Sequence, residues 1–136
     1  MWLLLLTACR ALTVADVTTG ESEAYPELRS IHQPIPARLL FRHAQEVAAA
    51  RPGWTGCEEL EPRHLRCQAE GPLGAPATID LLATPAGLTA SRLQLRVKTE
   101  SPIGGDLGFG AREIQGFEAA FLEAPPSRTL RRGAPE

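Results

Sequence analysis

Asp80, Asp106, His32, His43 and His64 are the side chains of this chain best suited to moving protons, and Cys9, Cys57 and Cys67 are its thiols. A hydrolase or a metal-dependent enzyme could be built from Asp80, Asp106 and one histidine if the fold brought them together in a cleft. The spacing does not ask for it. The histidines fall on a strand, a helix and a turn, without the close pairing that metal ligands show. No Ser-His-Asp or Cys-His set stands out. The glycine run through Gly104, Gly105, Gly108 and Gly110 lacks the GxxxxGK[ST] of a phosphate loop, and its spacing suits a tight corner. Asp106 lies within that corner, at the mouth of a helix. There a carboxylate accepts from orphan backbone N–H groups and meets the positive end of the helix dipole, a role worth about 1 kcal/mol. The residues predict a structural corner at Gly104, Asp106, Gly108 and Gly110, and no catalytic, metal or cofactor site.

The thiols point to a compartment. Trp2 to Leu6 is unbroken apolar sequence, and it meets Cys9 through Leu6-Thr7-Ala8. Small residues before a cysteine fit the cleavage site of a bacterial lipoprotein signal, in which the thiol takes a diacylglycerol and becomes the first residue. The run is short of the roughly 20 residues that span a bilayer and lacks a cationic start; a translation start further upstream would supply both. Arg10 does not resemble the aspartate that retains lipoproteins in the inner membrane, so the expected location is the outer membrane, facing the periplasm. With Cys9 acylated, an even pair remains. A hairpin centred on Pro62 would set Cys57 opposite Cys67, close enough for a disulfide. The alternatives are two half-buried thiols in a reducing cytosol, or a zinc site; the latter has no CxxC pair, and His64 alone cannot complete four ligands.

The elements that must position these residues can be read from periodicity. At 136 residues the chain has room for one domain and one modest core, and 43% hydrophobic and 22% charged residues are ordinary for a folded protein. A net charge of −2, with no basic stripe interleaved with aromatics, gives no reason to expect nucleic acid. Residues 1–9 read as a truncated lipoprotein-type signal and 10–26 as a polar, flexible tether. Residues 27–122 read as one α+β domain, and 123–136 as a disordered tail. A first strand lies between Leu28 and Gln33. Pro36 begins a helix whose apolar stripe is Leu40, Ala44, Val47 and Ala48, stopped by Arg51-Pro52-Gly53. Trp54–Leu60 with His64–Glu70, and Ala77–Ala83 with Leu88–Thr99, form two hairpins. Ile114, Phe117 and Phe121 share a helical face. The order is β-α-β-β-β-β-α, two helices packed on one curved antiparallel sheet. Phe41, Trp54, Phe109, Phe117 and Phe121 are core candidates. Phe109, flanked by Gly108 and Gly110, is also the aromatic best placed to contact a partner.

Tyr25-Pro26-Glu27-Leu28, Pro52-Gly53-Trp54 and Asp106-Leu107-Gly108-Phe109-Gly110-Ala111-Arg112-Glu113-Ile114 carry a resemblance. From about Tyr25 to Leu122 the chain resembles the bacterial domain family of unknown function DUF1499. Asp106, Leu107, Gly108 and Ile114 match the family's closing motif, while Gly110 and Glu113 stand at its Asn and Arg positions. The resemblance implies the same fold and an envelope location, and implies no activity. Residues and resemblance together lead to the expectation of a non-enzymatic envelope lipoprotein, held to the membrane by a lipid anchor, that binds an envelope protein or a small apolar ligand between sheet and helices.

Overall fold

The computed structural model describes residues 13–123. Its elements are β1 (Asp16–Thr18), β2 (Ile31–Gln33), α1 (Ala37–Ala50), β3 (Thr55–Glu61), β4 (His64–Glu70), β5 (Pro76–Pro85), β6 (Ser91–Thr99) and α2 (Phe109–Glu123). The expected α+β arrangement is present, with one strand added ahead of it. All pairings are antiparallel, in the order β1-β6-β5-β4-β3, and β2 joins β6 beside β1. Both helices pack on one face of this six-stranded sheet.

Alternation on β6 decides which face that is. Leu93, Leu95 and Val97 are buried beneath the helices, while Arg92, Arg96 and Lys98 point the other way. β5 does the same with Ile79 and Leu81. Onto this floor α1 sets Leu40, Phe41, Ala44, Val47 and Ala48, and α2 sets Ile114, Phe117 and Phe121. Trp54 stacks on Phe117, centroids 5.6 Å apart, and its indole N–H donates to Glu113 Oε1 at 2.8 Å. Between the helices, buried His43 donates from Nε2 to the Phe121 carbonyl at 3.0 Å. Its acceptor is a main-chain carbonyl of α2, so the histidine ties the two helices together and is a structural one. Pro36 sits one position earlier than expected, as the N-cap of α1.

The segment 10–26 is not a tether along its described part. Val17 and Thr19 are fully buried, and Tyr25 and Leu28 nearly so. β1 pairs with Arg96–Lys98, Thr19 Oγ1 accepts the Leu95 N–H, and left-handed Gly20 donates its N–H to the Leu28 carbonyl. With Val17 as its single large apolar residue, this strand is too short to show a period. Its partners come from 80 residues downstream in the chain, which no local pattern reveals. The residues 1–12 and 124–136, which include Cys9 and all but the first residue of the expected tail, lie outside the described part.

Cys57 and Cys67 form a disulfide across the β3–β4 hairpin, with an S–S distance of 2.05 Å and Cα atoms 4.0 Å apart. Register shifts in β3 accompany the cross-link: Glu58 pairs with Arg66 and Glu61 with His64 around the Pro62-Arg63 turn. β3 is an edge strand and exposed along its whole length, so few apolar contacts hold it. Its attachment therefore depends on the ladder to β4 and on the bridge. A loop of 10-residue separation corresponds to about 2–3 kcal/mol on the chain-entropy view. The Cys57→Ser/Cys67→Ser double variant is expected to melt about 10–20 °C lower. Calorimetry checks this, and an unchanged melting temperature would show that the bridge stabilises nothing.

Candidate functional site

The face of the sheet turned away from the helices carries most of the chain's organised charge. β4 contributes His64 and Arg66, β5 Asp80 and Leu82, β6 Gln94 and Arg96, and β1 Asp16 and Thr18. With Glu21 and Ser22 from the following turn they line a cavity of about 560 Å³. Period-2 alternation puts them there: each is the outward neighbour of a buried aliphatic. Register brings them together, since Arg66 lies opposite Asp80 and Asp80 opposite Arg96.

Asp80 Oδ1 accepts from His64 Nε2 at 2.9 Å and from Arg66 Nε at 2.8 Å. Asp16 takes a two-pronged contact from Arg96, Nε to Oδ1 at 2.9 Å and Nη2 to Oδ2 at 2.6 Å. The Arg96 guanidinium bonded to Asp16 holds that carboxyl below its usual range, against the opposing effect of partial burial. The same bond raises Arg96, and the bond to Asp80 raises Arg66. Two guanidiniums thus face three carboxylates, and each guanidinium already holds one of them. The lining therefore presents hydrogen-bond donors and acceptors of both charges, already paired with one another.

The sequence-predicted acids do not converge. Asp80 faces this open surface. Asp106 is fully buried on the helix side of the sheet, where Oδ1 accepts the Gly108 N–H and Oδ2 the Gly110 N–H, both at 2.9 Å. It caps α2 as expected, and two of the corner's glycines are explained by it. Gly108 is left-handed, at φ 81°, and a Cβ on Gly110 would come within 2.8 Å of Asp106 Oδ2. His32 is exposed on β2 and His43 is buried between the helices, so the one histidine that meets a candidate acid is His64 at Asp80. Among the described residues no group of three or more His, Cys, Asp and Glu side chains is placed to hold a metal ion. Phe109 is half-buried and packs against the core, so it does not stand free as a contact residue. Arg66, Arg96, Asp16 and Gln94 were not singled out by the sequence. The alternation of β6 placed Gln94 and Arg96 on one side, but the pairing partners depend on strand order.

With this geometry in view, no family model matches the chain, and no curated protein matches it. Solved structures similar to it include DR_A0006 from Deinococcus radiodurans, at 14% identity and TM-score 0.36, covering 79% of this chain and 92% of that one. TTHA0849 from Thermus thermophilus is similar at 14% identity and TM-score 0.38, over 87% and 99% of the two chains. The di-domain ARO/CYC BexL from the BE-7585A biosynthetic pathway is similar at 14% identity and TM-score 0.29, over 88% of this chain and 48% of that one. At these scores the likenesses carry no argument about ligand or chemistry.

Two measurements follow from the buried and half-buried carboxyls. Asp106→Ala leaves two backbone N–H groups at the start of α2 without their acceptors, and should cost about 2 kcal/mol. Asp106→Asn, which keeps one acceptor oxygen, should cost about half as much. Urea midpoints at constant m read both, and an Ala variant as stable as the parent removes the capping role. Burial pushes the half-exposed Glu118 carboxyl up from 4.5, and its Oε1 has no partner. Protonation is therefore favoured in the folded state, and stability is lost as pH rises from the unfolded value through the folded one. Glu118→Gln should be more stable at pH 7 by up to about 0.5 kcal/mol after solvent screening. That gain should close below pH 4.5, and a gain that persists there would contradict the assignment.

Proposed function

We propose that the chain is a non-enzymatic envelope lipoprotein domain, anchored through Cys9, that uses the open face of its sheet to bind a partner or a small ligand. The observation that carries the reading is the Cys57–Cys67 bridge. Disulfides persist in oxidising compartments such as the periplasm and are rare in the cytosol. The bridge accounts for two of the three cysteines and leaves Cys9 alone, in Leu6-Thr7-Ala8-Cys9, the setting of a lipoprotein cleavage site. No helix among the described residues is long and apolar enough to cross a membrane.

The binding half of the proposal differs from the sequence expectation in one respect. The space between sheet and helices is occupied by Leu40, Phe117, Phe121, Leu93 and Leu95, all buried. The 560 Å³ cavity lies on the opposite face, with a charged rim and Leu82 as its apolar element. A ligand suited to it is polar, with both donors and acceptors, in place of the apolar one expected. The enzyme reading keeps the His64–Asp80 pair, but Asp106 is committed to the helix on the far side.

Intact mass of the protein from the membrane fraction of a bacterial host, taken without reductant and with any upstream start restored, tests the anchor. The expected species begins at Cys9, carries acyl mass and is two hydrogens lighter than its reduced form. Cys9→Ser should leave the protein unacylated. An unprocessed soluble protein with three free thiols would overturn both anchor and compartment.

A further inference from the structure

We infer that one end of the sheet, formed by the β4–β5 and β6–α2 loops, is a docking surface for a phospholipid bilayer, held there by the N-terminal segment. The inference rests on the envelope reading for its anchor and on three independent features of the fold for its surface.

The first feature is where the loops lie. β4 ends and β5 begins beside the end of β6: Ala77 pairs with Thr99, and the Glu100 N–H donates to the Pro76 carbonyl. A Cβ on Gly71 would lie 3.0 Å from the Thr99 side chain and 3.7 Å from the Phe109 ring. Residues 71–75 and 100–108 therefore form one rim.

The second feature is what that rim exposes. Leu73 is 74% accessible, Ile103 48% and Leu107 37%. Leu73 and Leu107 also have left-handed backbones, at φ 59° and 55°. Leucine rarely adopts that conformation, and glycine or asparagine would adopt it with less strain. The fold thus places aliphatic side chains outward at two positions where turn chemistry alone favours a small or polar residue. Such an outlier points to a contact outside the chain.

The third feature is where the chain enters. The Asp106 N–H donates to the Val14 carbonyl and the Thr99 N–H to the Ala15 carbonyl, so the first described residues run directly into this rim. The five residues from Cys9 to Val14 reach at most about 18 Å fully extended. With 14–28 packed onto the domain, no long tether separates it from an acylated Cys9 or from the apolar run Trp2–Leu6. Whatever holds that segment in a bilayer brings Leu73, Ile103 and Leu107 to the interface. The cavity-lining Thr18, His64, Leu82 and Gln94 lie toward the other end of their strands. Leu88, fully exposed in the β5–β6 turn, marks that distal end.

Depth-dependent fluorescence tests this on the full chain bound to phosphatidylethanolamine–phosphatidylglycerol vesicles containing acyl-brominated lipid. Leu73→Trp, Ile103→Trp and Leu88→Trp are compared with the parent, whose Trp54, together with Trp2 in any chain not cut at Cys9, sets the background. Ile103→Trp guards against loss of folding at the left-handed site. The added signal at 73 and 103 should be quenched at least about twofold, as for side chains roughly 5–10 Å into the interface, and the signal at 88 should be unaffected. Equal quenching at all three positions, or at none, overturns the proposal. So does a shift at 73 that follows protein concentration and not lipid, which would assign the rim to a second copy. Intact mass of the same sample separates this from the anchor. Acylation without quenching at 73 and 103 leaves the lipoprotein reading standing and removes the docking surface, while quenching without acylation does the reverse.

Discussion

Everything in this fold depends on β6 having both of its edges filled. One edge is taken along its full length by β5, and the other is shared by β2 against Ser91–Leu93 and β1 against Arg96–Lys98. Thr19 bridges the gap between them, exchanging hydrogen bonds with the Leu95 main chain. A central strand with buried Leu93, Leu95 and Val97 cannot leave an edge of N–H and C=O groups unpaired without a large cost. Satisfying that edge recruits the N-terminal segment, fixes where the chain enters the domain, and puts Asp16 within reach of Arg96. The open polar face and the N-terminal corner are both consequences of this pairing.

The same strand shows why some of the structure was legible in the sequence and some was not. β4, β5, β6 and both helices have enough apolar positions to declare a period, and their bounds fall within a few residues of expectation. The Asp106 cap was readable too, because a capping carboxylate and its N–H donors are neighbours in sequence. β1 is a strand because of its partner and not its composition, so a largely polar stretch whose strand holds one valine read as a tether. The Arg66–Asp80–His64 cluster is invisible for the same reason: it depends on register between residues 14 and 16 apart in the chain. Local pattern places a side chain on a face. Pairing decides what stands beside it.

The disulfide makes sense against this background of uneven support. β5 and β6 are buried by helices and flanked by strands, whereas β3 is an edge strand exposed along its length. Glu58, Glu59 and Glu61 give that edge a negative charge that discourages pairing with another chain, one of the usual protections of a free edge. It also gives β3 few contacts of its own. A covalent link at Cys57 supplies from the unfolded-state side what packing does not supply here.

Three aliphatic side chains are too small an apolar surface to hold a domain on a membrane alone, and a tether alone leaves a domain free to tumble. The two together behave differently, because a short tether raises the effective concentration of the second contact to a level that a weak interaction can use. In the proposed arrangement the tether's length is set by β1 and the turn after it, which draw residues 14–28 onto the sheet. Had that segment stayed extended, its fifteen residues would add up to about 50 Å of reach, and the rim would have no preferred position. Pairing β1 to the edge of β6 therefore does two things at once. It completes the sheet, and in the proposed arrangement it converts a loose anchor into an oriented one, with the charged open face left accessible to the compartment.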